Sequence, residues 1–92
     1  MRILVADDQR VVRQGILWLL EDEPDFEVVG EAADGLEAIE KVEQLKPDVL
    51  ITDIKMPGID GVEVTRRATR LVPGLRVVVL SMYGIKRMLT GL

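Results

Sequence analysis

The sequence predicts an α/β fold built as a doubly wound parallel sheet. Strand-like and helix-like segments alternate along the 92 residues with short connections, which implies right-handed crossovers between parallel strands. The first, third and fourth strand segments are continuous apolar runs, as expected of strands that helices cover on both faces. The second is more polar and suits an edge, so the expected strand order is 2-1-3-4.

Four segments are predicted to be strands. The first, third and fourth strands, at residues 2–6, 48–52 and 77–80, are mainly apolar. The second strand, at residues 26–32, is interrupted by two glutamates and a glycine. Only a short tail follows residue 80, so no further strand is expected beside the last run. A long apolar edge is a pairing liability. Whatever covers this edge is therefore expected to be missing or to come from another molecule.

Three helices are predicted between the strands, each from apolar residues at helical spacing. The apolar positions of the first are Val11, Val12, Ile16, Leu19 and Leu20. Asp34 and Glu37, and again Asp60 and Glu63, have the spacing of an N-cap residue and its partner three positions on. These pairs predict where the second and third helices begin. The prolines that follow the three helices are Pro24, Pro47 and Pro73.

Composition favours one globular domain over residues 1–92, with 48% apolar and 30% charged residues. The chain has neither cysteine nor histidine, so oxygen ligands would hold any metal, which favours magnesium. A net charge of −4 without a dense basic stretch argues against nucleic-acid binding by this chain alone. No apolar run approaches the ~20 residues of a membrane span. The N-terminus turns acidic too early for a signal peptide, so we expect a cytoplasmic protein.

Three aspartates stand where predicted strands end. Asp7 and Asp8 follow the first strand, and Asp53 follows the third. If these strands are neighbours, the three carboxylates meet in the crevice beyond the carboxyl ends of the strands, where ligands of open α/β sheets bind. Like charges at such short range are unfavourable unless a cation or a proton intervenes. The cluster therefore predicts a metal site.

Four stretches of the chain carry a resemblance to a known family. They are ILVADDQRVVRQGI, EAADGLEAI, PDVLITDIKMPGIDGVE and RVVVLSMYG. Together, from residue 2 to about residue 84, they resemble the receiver domain of bacterial two-component response regulators. The nearest branch is the LuxR/NarL type, whose full-length members bind DNA through a C-terminal helix-turn-helix. The resemblance implies a flavodoxin-like fold, here a receiver domain incomplete at its C-terminus and without an output domain.

The resemblance also implies a role for each residue of the site. Asp53 matches the phosphoacceptor, which takes a phosphoryl group from a sensor histidine kinase. Asp7 and Asp8 match the acidic pair that positions Mg²⁺, and the backbone carbonyl of Lys55 would complete the protein ligands together with Asp53. Ser81 matches the hydroxyl that moves to bond the phosphoryl group. Such a domain accepts a phosphoryl group and assists its transfer and loss, but it is not an enzyme in the usual sense.

The sequence departs from the family at its end. The family has a fifth strand, a fifth helix and a lysine that pairs with the phosphoryl group, whereas this chain stops at Leu92. Lys86 does not match that lysine, because it falls in the would-be fourth helix. A phosphorylation-independent interaction module is therefore an alternative. A magnesium-dependent aspartyl phosphatase is more distant, because Lys55 occupies the position where such enzymes carry a second aspartate.

Taken singly, each signal has a simpler interpretation. Asp8 alone could cap the first helix near Gln9, Asp53 alone could end a strand, and Ser81 alone could be a loop serine. Met56-Pro57-Gly58 alone is only a turn. Their joint occurrence at three strand ends is what favours a phosphoacceptor site.

Self-association is expected from the missing fifth strand and helix. The apolar run at 77–80 would lack a neighbour, and apolar residues of the first helix such as Val12, Ile16 and Leu19 would be partly exposed. Residues 85–92 are long enough for about two helical turns or a brief strand, but hardly both. A homodimer with its contact around the fourth strand, the tail and the first helix is therefore predicted.

Overall fold

The computed structural model describes residues 1–81 and 84–88, the latter and Ser81 as backbone. In this part of the chain the elements are β1 (Arg2–Ala6), α1 (Arg10–Glu21), β2 (Glu27–Ala32), α2 (Gly35–Leu45), β3 (Val49–Asp53), α3 (Gly61–Leu71), β4 (Arg76–Ser81) and β5 (Gly84–Met88). The four predicted strands and three predicted helices all form, with bounds close to those expected. None of the helices so described is long and apolar enough to cross a membrane.

The strands form one sheet in the order β2-β1-β3-β4-β5. The first four are parallel, which confirms the predicted order 2-1-3-4. Ala6 of β1 lies opposite Thr52 of β3. Because the register continues beyond these residues, it brings the start of the β1–α1 loop next to the end of β3.

The expectation that no strand follows β4 is wrong. β5 pairs with β4 in antiparallel orientation, from Ser81 opposite Gly84 to Val77 opposite Met88. A parallel strand would need a crossover of a dozen or more residues, whereas two residues separate Ser81 from Gly84. The strand also supplies hydrogen-bonding partners to the backbone edge of β4. Lys86 therefore lies in a strand and not in a fourth helix, and its side chain is outside the described part.

The two faces of the sheet are covered unequally. α2 and α3 pack on one face, where they enclose the main core. Its larger fully buried side chains include Leu4, Val42, Leu50, Val64, Leu75 and Val77. α1 packs on the other face over Ile3, Val5 and Val49. Every residue of α1 keeps some exposure, which confirms the expectation that its apolar residues are partly bared.

Both predicted N-caps form. Asp34 accepts a hydrogen bond from the Glu37 backbone N–H at 2.8 Å, and Asp60 accepts one from the Glu63 N–H at 2.9 Å. The Glu63 side chain turns to Arg66 and Arg67, and the hydrogen bonds from these two guanidinium groups lower its pKa to about 2. The caps fix the N-termini of α2 and α3, which begin at the carboxyl-end edge of the sheet.

Candidate functional site

The structure brings three carboxylates together at the carboxyl ends of β1 and β3. One carboxylate oxygen from each of Asp7, Asp8 and Asp53 lies within 4.8 Å of the others. The parallel pairing of β1 with β3 is the cause, because it sets the residue after Ala6 beside the residue after Thr52. The convergence predicted from the strand ends is therefore present in the fold.

Backbone hydrogen bonds orient two of these carboxylates. The Gln9 N–H donates to Asp7 Oδ1 at 2.8 Å, and the Ile54 N–H donates to Asp53 Oδ1 at 2.7 Å. Asp7 is buried, Asp53 is partly buried and Asp8 is exposed. The N-cap of α1 is Gln9, so the interpretation of Asp8 as a helix cap does not describe this fold. The three side chains thus form a site that is buried on one side and open to solvent on the other.

Electrostatics in this cluster are unfavourable without a cation. Burial raises the pKa of Asp7 above its usual value of 3.8, and the negative charges of Asp53 and Asp8 raise it further. The Gln9 N–H and the guanidinium of Arg13 act in the opposite direction. A divalent cation among the three carboxylates would remove the repulsion, and a set of hard carboxylate oxygens suits Mg²⁺.

Replacing Asp7 by asparagine is expected to raise the stability of the metal-free protein at neutral pH. Since the folded-state pKa of Asp7 is raised, ionisation is harder in the folded protein than in the unfolded chain. The stability that the neutral Asp7 carboxyl contributes is therefore fully present below the unfolded-state pKa and is lost as the pH rises through the folded-state pKa. Asparagine stays neutral at every pH, so the variant does not lose this stability. Thermal unfolding in a chelator from pH 4 to 8 measures this.

The matched control for this prediction is Asp25→Asn, since Asp25 is exposed and lies outside the acidic cluster. That variant should follow the pH profile of the parent chain. Lower stability of Asp7→Asn than of the parent at pH 7 in chelator would show that charge crowding is not what limits the metal-free fold.

Arg13 is a residue of the site that sequence reasoning missed. Its Nη1 donates to the backbone carbonyl of Asp7 at 2.6 Å, and its Nε contacts Glu31 Oε1 at 3.2 Å. The side chain is largely buried, with 16% exposure. Arg13 therefore ties the β1–α1 loop to the edge strand β2. The one signal in the sequence is a basic residue one turn into α1, which does not separate this role from an ordinary surface arginine.

Two glycines hold the loop that follows β3, and this role was also missed. A Cβ at Gly61 would lie 2.2 Å from the carbonyl oxygen of Asp53, and the Gly61 N–H donates to the Ile54 carbonyl at 2.6 Å. A Cβ at Gly35 would lie 2.5 Å from the carbonyl oxygen of Ile59. Both helices thus begin on residues whose lack of a side chain lets them touch this loop. The signal was the glycine directly after each predicted cap.

The other predicted site residues are placed less completely. Lys55 lies exposed in the loop between β3 and α3, two residues after Asp53. The backbone of Ser81 ends β4 opposite Gly84, while its hydroxyl lies outside the described part of the chain. The structure therefore brings the three aspartates together, and the roles of Ser81 and Lys55 stay predictions.

A doubly wound parallel sheet with carboxylates at the ends of its central strands defines a flavodoxin-like domain that can hold a cation at that edge. The chain matches the response regulator receiver domain family over residues 3–91 and belongs to that family. It is thus a receiver domain of the response regulator class, which two-component systems use.

The relatives are response regulators of the LuxR/NarL type. The chain is 42% identical to the uncharacterized transcriptional regulatory protein YhcZ of Bacillus subtilis over 83 residues, which are 90% of this chain and 39% of that protein. It is 46% identical to the response regulator GacA of Pseudomonas viridiflava over 81 residues, 88% of this chain and 38% of GacA. The chain thus spans about two-fifths of the length of these relatives.

Solved structures agree with the fold. The response regulator domain of Thermotoga maritima CheB superposes with a TM-score of 0.83 at 41% identity, covering 88% of this chain and 60% of that one. The isolated receiver domain of RcsB from Salmonella enterica, solved with the phosphomimetic BeF₃⁻, gives a TM-score of 0.83 at 38% identity, covering 89% and 62%. At these identities the likeness supports the family as well as the fold.

Proposed function

We propose that this domain is a phosphorylation switch in which Asp53 accepts a phosphoryl group from a sensor histidine kinase. Asp7, Asp8, Asp53 and the backbone carbonyl of Lys55 would hold the Mg²⁺ that the transfer needs. The observation that carries the proposal is the meeting of three carboxylate oxygens within 4.8 Å at the carboxyl ends of neighbouring strands. Family membership supplies the class of reaction.

Asp53 is the residue suited to be the nucleophile. Its carboxylate is partly buried, and the Ile54 N–H holds Oδ1, which fixes the direction of the group. A carboxylate oxygen of Asp53 would bond to phosphorus while the bond between phosphorus and the kinase histidine breaks, and the electron pair leaves on the imidazole nitrogen. The bound cation supplies neutralisation of the phosphoryl oxygens. The acyl phosphate that forms hydrolyses readily, so the signal is temporary.

Readout of the switch is proposed to begin at Ser81. This residue ends β4, the strand that pairs with β3 so that Asp53 lies opposite Leu80. Its hydroxyl would donate a hydrogen bond to a phosphoryl oxygen and shift the backbone that follows β4. The charge added at Asp53 would in this way favour one of two conformations of that segment. We propose that residues 1–92 form one receiver domain of a cytoplasmic regulator. A full-length relative would bind DNA through a separate helix-turn-helix.

The second candidate is a receiver-like module that binds partners without switching. β5 favours it, because an antiparallel strand on β4 differs from the parallel fifth strand of the family. A hydrolase is disfavoured, since the position two residues after Asp53 is the exposed Lys55 and not a carboxylic acid.

The proposed function is tested by treating the chain with acetyl phosphate or phosphoramidate and weighing it intact. With Mg²⁺ the protein should gain one phosphoryl group, and with a chelator it should gain none. A gain that is independent of magnesium would contradict the proposed metal site. No gain under either condition would favour the non-switching module.

Magnesium is expected to stabilise the fold. The cation binds the folded protein and removes the repulsion among three carboxylates, so linkage gives about 1.4 kcal/mol at ten times its dissociation constant. The melting temperature should rise with Mg²⁺ in the parent chain and respond little in Asp8→Ala. Asp8 suits this test because it is exposed, and its loss leaves the core unchanged. An equal rise in both proteins would mean that the ion acts elsewhere.

A further inference from the structure

The backbone of Asp7 is held on both sides of its Cα. The Asp7 N–H donates to the Ala32 carbonyl of β2 at 3.0 Å, and the Asp7 carbonyl accepts a hydrogen bond from Arg13 Nη1 at 2.6 Å. The carboxylate is held as well, because its Oδ1 accepts from the Gln9 N–H. Asp7 therefore enters the acidic cluster with both its backbone and its side chain fixed.

Asp8 is held differently from the other two aspartates of the cluster. Oδ1 of Asp7 and Oδ1 of Asp53 each accept a backbone N–H, whereas no group of residues 1–80 donates a hydrogen bond to the Asp8 carboxylate. The Asp7 carbonyl and the Asp8 N–H belong to one planar peptide unit. A hold on that carbonyl therefore also restrains the direction in which the Asp8 side chain leaves the backbone.

The guanidinium of Arg13 provides this hold through two separate atoms. Nη1 contacts the Asp7 carbonyl, while Nε contacts Glu31 Oε1 at 3.2 Å, so one planar group spans the β1–α1 loop and β2. Glu31 is itself fixed, because β2 pairs with β1 and Lys41 of α2 donates to the Glu31 backbone carbonyl. The anchor for the loop is thus part of the sheet.

The Glu31 carboxylate also offsets the positive charge that Arg13 brings close to the acidic cluster. The Arg13 side chain is largely buried, so an unbalanced guanidinium at this place would repel a divalent cation through little intervening water. The carboxylate oxygen at 3.2 Å leaves the pair close to neutral. Arg13 can therefore hold the Asp7 carbonyl without opposing the binding of a cation.

We propose that Arg13 is a positioning residue for the cation, acting through the peptide between Asp7 and Asp8, with Glu31 as its counter-ion. The inference rests on the metal site of the proposed function, but not on which residue accepts the phosphoryl group. Arg13 would touch neither the cation nor the phosphoryl group, because the Asp7 carbonyl and Glu31 engage its guanidinium. Its loss should therefore weaken Mg²⁺ binding and leave the phosphorylation rate at saturating Mg²⁺ close to that of the parent chain.

Thermal unfolding at increasing Mg²⁺ concentrations tests the proposal, because it separates stability in chelator from affinity for the cation. In Arg13→Met the dissociation constant for Mg²⁺ should rise about tenfold, the lower end of the usual cost of losing a group that orients metal ligands. Arg13→Lys keeps the charge but loses the two-point contact, so it should also weaken binding. Glu31→Gln keeps an acceptor for Nε but leaves the charge of Arg13 unbalanced, and it should weaken binding too.

Arg2→Met is the matched control. Arg2 also holds backbone carbonyls, since its Nη1 donates to those of Leu45 and Lys46 at 2.6 and 3.0 Å, but it lies at the other end of β1 from the aspartates. That variant should lower the melting temperature in chelator and leave the dissociation constant for Mg²⁺ unchanged. If the role of Arg13 were only structural, Arg13→Met would behave in the same way.

The rate of phosphorylation by acetyl phosphate gives a second measurement. At limiting Mg²⁺ the rate in Arg13→Met should fall by the same factor as the affinity, and at saturating Mg²⁺ it should return to that of the parent. If Arg13→Met does not fold, Arg13→Lys and Glu31→Gln provide the same comparison.

Three results would count against the proposal or the function on which it rests. An unchanged dissociation constant in Arg13→Met would overturn the proposal, and so would tighter binding there with no change in Arg13→Lys, since charge alone would then explain Arg13. A parent chain whose melting temperature does not respond to Mg²⁺ would overturn it equally. A parent chain that binds Mg²⁺ without gaining a phosphoryl group would contradict the proposed function, whereas the Mg²⁺ affinities of the variants would still decide the role of Arg13.

Discussion

Replacing Asp53 by asparagine is expected to abolish phosphorylation by small phosphodonors. An amide oxygen is a far weaker nucleophile than a carboxylate, so no acyl phosphate should form. In the parent chain the Ile54 N–H donates a hydrogen bond to Asp53 Oδ1 at 2.7 Å. The side-chain oxygen of asparagine can accept the same hydrogen bond, so the local fold should persist. The variant also removes one of three crowded charges. Intact mass after treatment with acetyl phosphate and Mg²⁺ measures the effect.

The control for this loss is Asp25→Asn, which changes an exposed aspartate two residues before β2. It should gain a phosphoryl group as the parent does. Thermal unfolding of Asp53→Asn in chelator should show a melting temperature at least as high as that of the parent. A mass gain that persists in Asp53→Asn would show that another residue accepts the phosphoryl group.

Replacing Gly61 by alanine is expected to destabilise the domain by about 3 kcal/mol, toward the upper end of the usual cost of overpacking. The added Cβ would lie 2.2 Å from the Asp53 carbonyl oxygen and 3.0 Å from the Ile54 Cα. These are backbone atoms, so they cannot move aside as a flexible side chain would. Either α3 or the end of β3 must shift, and a shift of β3 displaces Asp53. Urea unfolding measures the loss, and the rate of phosphorylation should fall with it.

Gly15→Ala is the matched control, because in the described structure nothing lies within 4 Å of that Cβ. At low protein concentration it should stabilise the helix by about 0.5–1 kcal/mol. If Gly61→Ala proved as stable as the parent, the tight contact between α3 and the acceptor loop would not be a feature of the protein in solution.

The sheet and the acidic cluster were predictable because both depend on local pattern. Continuous apolar runs, in place of the alternating pattern of a half-buried strand, indicated that β1 and β3 are central. The more polar β2 indicated an edge. Once β1 and β3 are neighbours, the residues after them must meet, so Asp7, Asp8 and Asp53 followed from strand order alone. The caps at Asp34 and Asp60 were predictable for the same reason, since a cap is a contact over three residues.

What could not be predicted depends on packing between distant residues. β5 was missed because a short tail is compatible with helix or strand, and the open edge of β4 decides between them. The sequence shows a glycine at position 61, but not why it is needed. A Cβ there would lie 2.2 Å from the Asp53 carbonyl oxygen, and this distance is set by where α3 docks. The contact of Arg13 with the Asp7 carbonyl likewise depends on how α1 lies across the sheet.

The central claim is that the phosphoryl group resides on Asp53. It is tested most directly by trapping the acyl phosphate with borohydride after treatment with acetyl phosphate and Mg²⁺, followed by peptide mass spectrometry. The reduction converts a phosphorylated aspartate to an alcohol and so marks its position in the chain. We expect the mark on Asp53, dependent on magnesium. A mark on Asp7, Asp8 or another acidic residue, with Asp53 unmodified, would contradict this account of the site.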